Sequence, residues 1–280
     1  MSIKITADST CDLAKELLDE YNINIIPLSI NMGGKSYYDG VEIFPEDIFR
    51  HVAAGGEICT TSAINITDYE IFFEKMLEGY DALIHITISS GFSCCFQNAI
   101  SAAEKFDNVY VIDSENLSTG HGLAVLKAAE LARTGADPKD ICDEVNLMVP
   151  KIEASFIINS LDYMRKGGRC SSVAALGANL LKLKPCIEVV DGKMQVGKKY
   201  RGSFSKCLAE YVKDRLSGRD NLVPDRLFIT HTETPDEIVQ DVFASVETHG
   251  NFKKVTETIA GSTITCHCGP NTLGILFVKE

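Results

Sequence analysis

Small hydroxyl side chains, aspartates and glycines recur in four short stretches of the chain. These are Asp8-Ser9, Thr60-Thr61-Ser62, Ser89-Ser90-Gly91-Phe92-Ser93 and Asp113-Ser114, with Ser118 and Thr119 close behind. Hydroxyls, glycine N–H groups and helix N-termini together make a hydrogen-bonding cradle for an anion. Taken singly, the same residue types cap helices wherever helices begin. Their convergence on one crest points to a site. Two later segments join them. Lys166-Gly167-Gly168-Arg169 allows a left-handed turn that presents N–H groups beside a guanidinium, and serves equally well as a helix C-cap. His267-Cys268-Gly269-Pro270 pins a histidine beside a tight turn.

Familiar catalytic signatures are missing. There is no GxxxxGK[ST] phosphate loop and no glycine-rich dinucleotide fingerprint, which argues against a nucleotide kinase and a simple dehydrogenase. Gly91-Phe92-Ser93 follows a strand and opens a helix, as a hydrolase nucleophile elbow does, and His267 follows later in the chain. A serine hydrolase using Ser93 and His267 is therefore one reading, although the elbow's second glycine is replaced by Cys95. A binding module for an anionic metabolite is another.

The elements that must position these residues fall into two grammars. In the first half strands alternate with helices. Ile3 to Ala7 reads as a strand, with Asp8-Ser9-Thr10 capping a helix from Cys11 to Tyr21, and Ile23 to Asn31 is a second apolar run. Pro45 opens a helix to Ala53, and Thr67 with Glu70 forms a capping box. Ala82 to Ile88 and Val109 to Ile112 are strands, each leading to a helix: Ser93 to Phe106, and a long one ending at Arg133. Such repeats imply a parallel sheet with helices on both faces, and ligands bind beyond the carboxyl ends of its strands. In the second half Lys182 to Val190, Asp191-Gly192 and Lys193 to Tyr200 form a hairpin. Helices at Ser203 to Leu216 and Pro235 to Thr248 interleave with further strands, implying a mixed or antiparallel sheet. The expectation is an α/β chain of two domains, 1–150 and 151–280, with a small-molecule site at or near their junction.

Composition narrows the function. A net charge of −12 argues against nucleic acid, because phosphate binding needs a basic face. The local basic excess is Lys182, Lys184, Lys193, Lys198, Lys199 and Arg201, a solvated edge or a landing site for a phosphate or acidic partner. No run approaches the roughly 18 apolar residues of a membrane span. The N-terminus lacks a basic start, an apolar signal core and a cleavage site, which implies a cytoplasmic address. The ten cysteines contain no CxxC pair, so they are expected to be reduced, packed in the interior, and without a metal.

In order along the chain, these segments resemble the DegV family of bacterial fatty-acid-binding proteins, nearly end to end. The resemblance rests on Asp8-Ser9 with Asp12-Leu13, Thr61-Ser62, Ser89 to Ser93 with Gln97, and Asp113-Ser114 with Ser118, Gly120 and Gly122. It continues through Leu161 to Arg169, Leu183-Lys184-Pro185, the Gly192 turn and His267 to Pro270. Ile64 stands where the family usually has proline, Cys94-Cys95 where it favours Gly-Thr, and Asn271 where its histidine motif often ends in glycine. The resemblance implies two α/β domains around one long-chain fatty acid and no catalytic activity in this chain. It implies a separate fatty acid kinase catalytic subunit that phosphorylates the acyl carboxylate with ATP for phospholipid synthesis. Thr61 and Ser93 would hold the carboxylate. His267, Arg201 and Arg169 would lie near the head group and the kinase-facing surface, with Ser62, Ser90, Gly91 and Ser118 on the crest. No cofactor or metal is expected beyond the lipid. A buried acyl chain gains about 0.8 kcal/mol per methylene, and its carboxylate then needs donors.

Overall fold

In the computed structural model, which describes residues 1–174 and 183–280, three sheets carry the chain. Lys182, placed at the start of the hairpin, lies outside the described residues. The first sheet has the order Asn24–Ile26, Ile3–Asp8, Ala82–Thr87, Val109–Asp113, and every pairing is parallel. Alternation along Ala82–Thr87 shows why helices cover both faces. Leu83 and His85 point at the aromatic side of helix Ile66–Leu77, where His85 meets Tyr69 and Phe73 edge-on. Ile84 and Ile86 point the other way, into a core shared with Leu123, Ala124 and Ala128 of helix Ser118–Arg133. Successive side chains on a strand face opposite sides, so a strand buried along its whole length, as this one is, needs partners on both.

The second sheet has six strands, in the order Lys193–Arg201, Leu183–Val190, Ile152–Ile158, Thr272–Lys279, Leu222–His231, Lys254–Ile259. All pairings are antiparallel except the last, which is parallel. Helices Phe204–Leu216 and Asp236–His249 cover one face through Leu208, Tyr211, Val212 and Val242. The opposite face, through Ala154, Phe228 and Leu276, packs into the core that also holds helix Ser118–Arg133. That helix is thus sandwiched between the two sheets, which explains why eleven of its residues are buried. The α/β architecture, parallel sheet followed by mixed sheet, is the one expected from the sequence.

Some elements differ from expectation. The run Ile23 to Asn31 is two strands, broken at Pro27. Asn24–Ile26 joins the parallel sheet, while Ser29–Met32 turns away into a small antiparallel sheet with Lys35–Tyr38 and Thr60–Ser62. The helix expected from Cys11 begins only at Lys15. Ser9–Cys11 is a single 3-10 turn ended by Asp12 at φ 48°. Asp8 is no helix cap: its buried carboxylate accepts from Tyr69 Oη at 2.7 Å, His85 Nε2 at 3.1 Å and Ile88 N at 3.0 Å. The Thr67–Glu70 capping box is replaced by Asn65, which accepts from Asp68 N. The helix after Ser93 is shorter than expected, Cys95–Ala103.

Candidate functional site

Two buried aspartates from the first half grip a short helix from the second. Asp39 accepts from Ser262 N at 2.9 Å, from Thr263 N at 3.3 Å and from Thr263 Oγ1 at 2.7 Å. Asp12 accepts from Gly261 N at 2.9 Å and from the Ser118 hydroxyl. Burial pushes the Asp12 carboxyl up to about 8, against the pull of those hydrogen bonds. Together they fix the start of helix Ser262–Cys268 and therefore the position of His267 in its last turn.

His267 faces Thr61, which the small antiparallel sheet presents. Thr61 Oγ1 and His267 Nε2 are 2.9 Å apart. Burial, and then the nearby Arg169 cation, lower the imidazole to about 4, so His267 is neutral at pH 7. Its Nδ1 is buried without a partner. A buried orphan N–H is rarer than an underused acceptor, which assigns the proton to Nε2. His267 then donates to Thr61, and the Thr61 hydroxyl is left to donate its own proton to a ligand.

The Lys166-Gly167-Gly168-Arg169 segment closes this end. Gly168, at φ 67°, is the left-handed C-cap of helix Asp162–Gly167. Gly167 packs under the histidine, where an added Cβ would stand 2.2 Å from His267 Nδ1. The segment is a helix cap, and its Gly167 and Arg169 also border His267. Arg169, exposed at the rim, donates to Gly167 O at 2.8 Å and more weakly to Phe92 O at 3.4 Å.

The Ser89–Ser93 loop forms the facing wall and locks the halves together. Ser89 Oγ donates to Gly192 O at 2.7 Å, across to the Asp191-Gly192 hairpin turn. A side chain at Gly91 would strike that same carbonyl, at 2.3 Å. Ser93 Oγ accepts from Cys95 N at 3.2 Å and lies 3.1 Å from Cys95 Sγ. Cys95 is fully buried, its thiol pushed up to about 12 by burial and then by the Asp8 charge.

Between these walls lies a cavity of about 460 Å³, within the roughly 300–1,000 Å³ of small-molecule sites. Its polar lining is Thr61, Ser90, Ser93, Arg169 and His267, and its apolar lining includes Leu28, Ile88, Phe92, Leu117, Met194 and Ile264. Past Leu117, Ile264 and Cys268 a crevice of about 20 Å³ continues between the sheets toward Phe156 and Leu276.

Not every expected residue reaches the cavity. Ser62 is exposed and bonded to Asn31. Ser118 is buried at φ 50°, with its hydroxyl on Asp12. Gly91 serves the contact between the halves. Arg201 ends the outermost strand of the second sheet, roughly 20 Å along it from the cavity residue Met194 at about 3.3 Å per residue. Ser93 and His267 form no nucleophile–base pair, since His267 is on Thr61 and Ser93 on Cys95. Ser93 also lacks the positive φ of a strained elbow. Among the described residues no group of three His, Cys, Asp or Glu is placed to hold a metal, and no helix is long and apolar enough to cross a membrane.

This arrangement can be set beside known proteins. A family model described as "Uncharacterised protein, DegV family" matches residues 2–280. The chain belongs to the DegV family. A DegV domain-containing protein of Caldanaerobacter subterraneus subsp. tengcongensis is 32% identical over 282 residues, 99% of each chain. Among solved structures, a fatty-acid-binding DegV family protein from Thermus thermophilus matches with a TM-score of 0.90 at 28% identity, covering 100% of both chains. DegV from Bacillus subtilis, described as a fatty acid binding protein, matches at 0.83 and 28%, again over 100% of both. The DegV fold is thus shared along the length of the chain.

Proposed function

We propose that this protein binds one long-chain fatty acid and presents its carboxylate to a separate kinase. The observation that carries the reading is the cavity itself: an apolar body of about 460 Å³ with the neutral Thr61–His267 pair and Ser93 at one end. Fatty acid binding by the two DegV structures above supports it. In this reading the Thr61 hydroxyl and Ser93 hold the carboxylate, aided by the first N–H groups of helix Cys95–Ala103. Arg169 supplies positive charge at the rim and His267 orients Thr61.

The protein acts as carrier and not as enzyme. The kinase subunit brings ATP, and the acyl phosphate leaves for phospholipid synthesis in the cytoplasm. Residues 1–150 and 151–280 act as two domains with the ligand at their junction. Ser90 shapes the crest, while Arg201, remote from the cavity, meets the kinase. No cofactor is needed beyond the lipid.

The test is acyl phosphate formation from ATP and oleate. This chain alone should release no phosphate. Addition of a cognate kinase subunit should start turnover, Arg201→Ala should reduce turnover without weakening oleate binding, and His267→Ala should reduce both. Phosphate release by the chain alone, or wild-type turnover in both variants, would overturn the assignment.

A further inference from the structure

Behind the Thr61–His267 pair lies a second pair that the lipid reading does not use. Cys59 immediately precedes strand Thr60–Ser62, and Cys266 immediately precedes His267 on helix Ser262–Cys268. Both thiols are free and buried, in one small core with Ile30, Ile43 and Ile48. The strand and the helix beside them pack against each other, and each thiol shifts the ionisation of the other. Cys170, by contrast, has Ser172 Oγ and Met194 O as partners. The two elements that meet at Thr61 and His267 thus also place two buried thiols in one small core, two and one residues away.

We propose that Cys59 and Cys266 are a redox-active dithiol, closed to a disulfide by a peroxide-class oxidant, and that closure resets the polar end of the cavity. The neighbouring Cys266 lowers the Cys59 thiol, while Cys59 and burial raise that of Cys266, which makes Cys59 the nucleophile. Cys59 is also the nearer to solvent, set between half-buried Ile58 and exposed Thr60. Its thiolate attacks one oxygen of hydrogen peroxide, the O–O bond breaks, and a sulfenic acid and hydroxide form. The Cys266 sulfur then attacks the Cys59 sulfur, the S–O bond breaks, and water leaves with the proton that Cys266 gives up. Two thiols and one peroxide become one disulfide and two waters, with two electrons passing from sulfur to oxygen. A dithiol reductant reverses the step. In a reducing compartment such a bond is transient and regulatory, not structural.

Bringing the sulfurs to about 2.05 Å draws the strand of Thr61 toward the helix of His267. The 2.9 Å contact between those residues, two and one residues from the bond, is the feature that closure would change in this proposal. The effect on a ligand rests on the proposed lipid site, but formation of the bond does not.

The experiment treats the intact protein, with Cys94→Ser to remove the exposed competing thiol, with hydrogen peroxide and maps peptides without reduction. A crosslinked peptide pair joining Cys59 and Cys266, lost on adding dithiothreitol and absent from Cys59→Ser and Cys266→Ala, is expected. Oleate affinity, measured on the same samples, should change at least threefold on oxidation and return on reduction. Absence of the crosslink overturns the proposal, and a crosslink with unchanged affinity overturns its link to the cavity. If reduced protein binds no oleate but the crosslink forms, the lipid reading fails and the dithiol stands.

Discussion

Replacing Gly167 by alanine tests how the site is held, because the change touches no atom proposed to contact lipid. Gly167 ends a helix and has no positive φ, so alanine there should gain up to about 1 kcal/mol of helix propensity. The new methyl, however, would stand 2.2 Å from His267 Nδ1. Since the helix backbone and the Asp39-anchored helix are both fixed, the imidazole must move. Overpacking of this kind costs about 1–3 kcal/mol, so net stability should change little or fall by up to about 2 kcal/mol. The lipid should feel more. With His267 displaced, Thr61 is free to rotate, and a charged hydrogen bond worth about 1.5–3 kcal/mol is lost, a factor of ten or more in affinity. Gly168→Ala is the control. At φ 67° with nothing within 4 Å, it should lower stability by about 1–2 kcal/mol and leave affinity alone. Titration of oleate by calorimetry, beside urea unfolding, separates the two. Wild-type oleate affinity in Gly167→Ala would refute the chain of contacts from Gly167 through His267 to Thr61.

Other consequences are open to measurement. The double variant Thr61→Ala, Ser93→Ala should bind oleate at least tenfold more weakly with a native far-UV circular dichroism spectrum, as expected when a buried carboxylate loses donors worth about 1–3 kcal/mol each. Hydrolysis of p-nitrophenyl esters should be at background and insensitive to Ser93→Ala, since Ser93 has no base. Stability should depend on pH through Asp12. A carboxyl raised from 3.8 to about 8 in the fold contributes stability that is present below 3.8 and lost as pH rises to about 8. His121 and His267, both lowered from 6.5 to about 4, act the other way, their contribution being lost as pH falls below 6.5. Between pH 6.5 and 8 the histidines drop out, so the urea midpoint should fall across that window and stay flat in Asp12→Asn. A flat wild-type profile would show that Asp12 titrates in the fold much as it does unfolded.

What the sequence made legible follows from how local each signal is. The Asp191-Gly192 turn could be read directly, because two residues at φ 48° and 70° need those residue types. Pro45 and Ser203 likewise mark helix starts at the right places. Residues joined across long separations were less legible. Asp39 binds Ser262 across 223 residues, and nothing in a Tyr-Asp-Gly sequence distinguishes it from an ordinary turn aspartate. Asp8 looks like a helix cap, yet it is buried under Tyr69 and His85 because the chain after it does not continue as a helix. Ser62 and Ser118 have the right type on the right segments, but strand alternation turns the first to solvent and Asp12 claims the second. Thr61, Ser93, Arg169 and His267 were gathered from the ordered set of motifs, and the cavity brings those four together.

The most direct test of lipid binding is native mass spectrometry of the protein purified from a bacterial host, with solvent extraction and gas chromatography of what it carries. A single long-chain fatty acid per chain is expected, retained through purification and displaced by excess oleate. An empty protein that also fails to take up added oleate, stearate or palmitate would contradict the central claim and leave the cavity to a different anion.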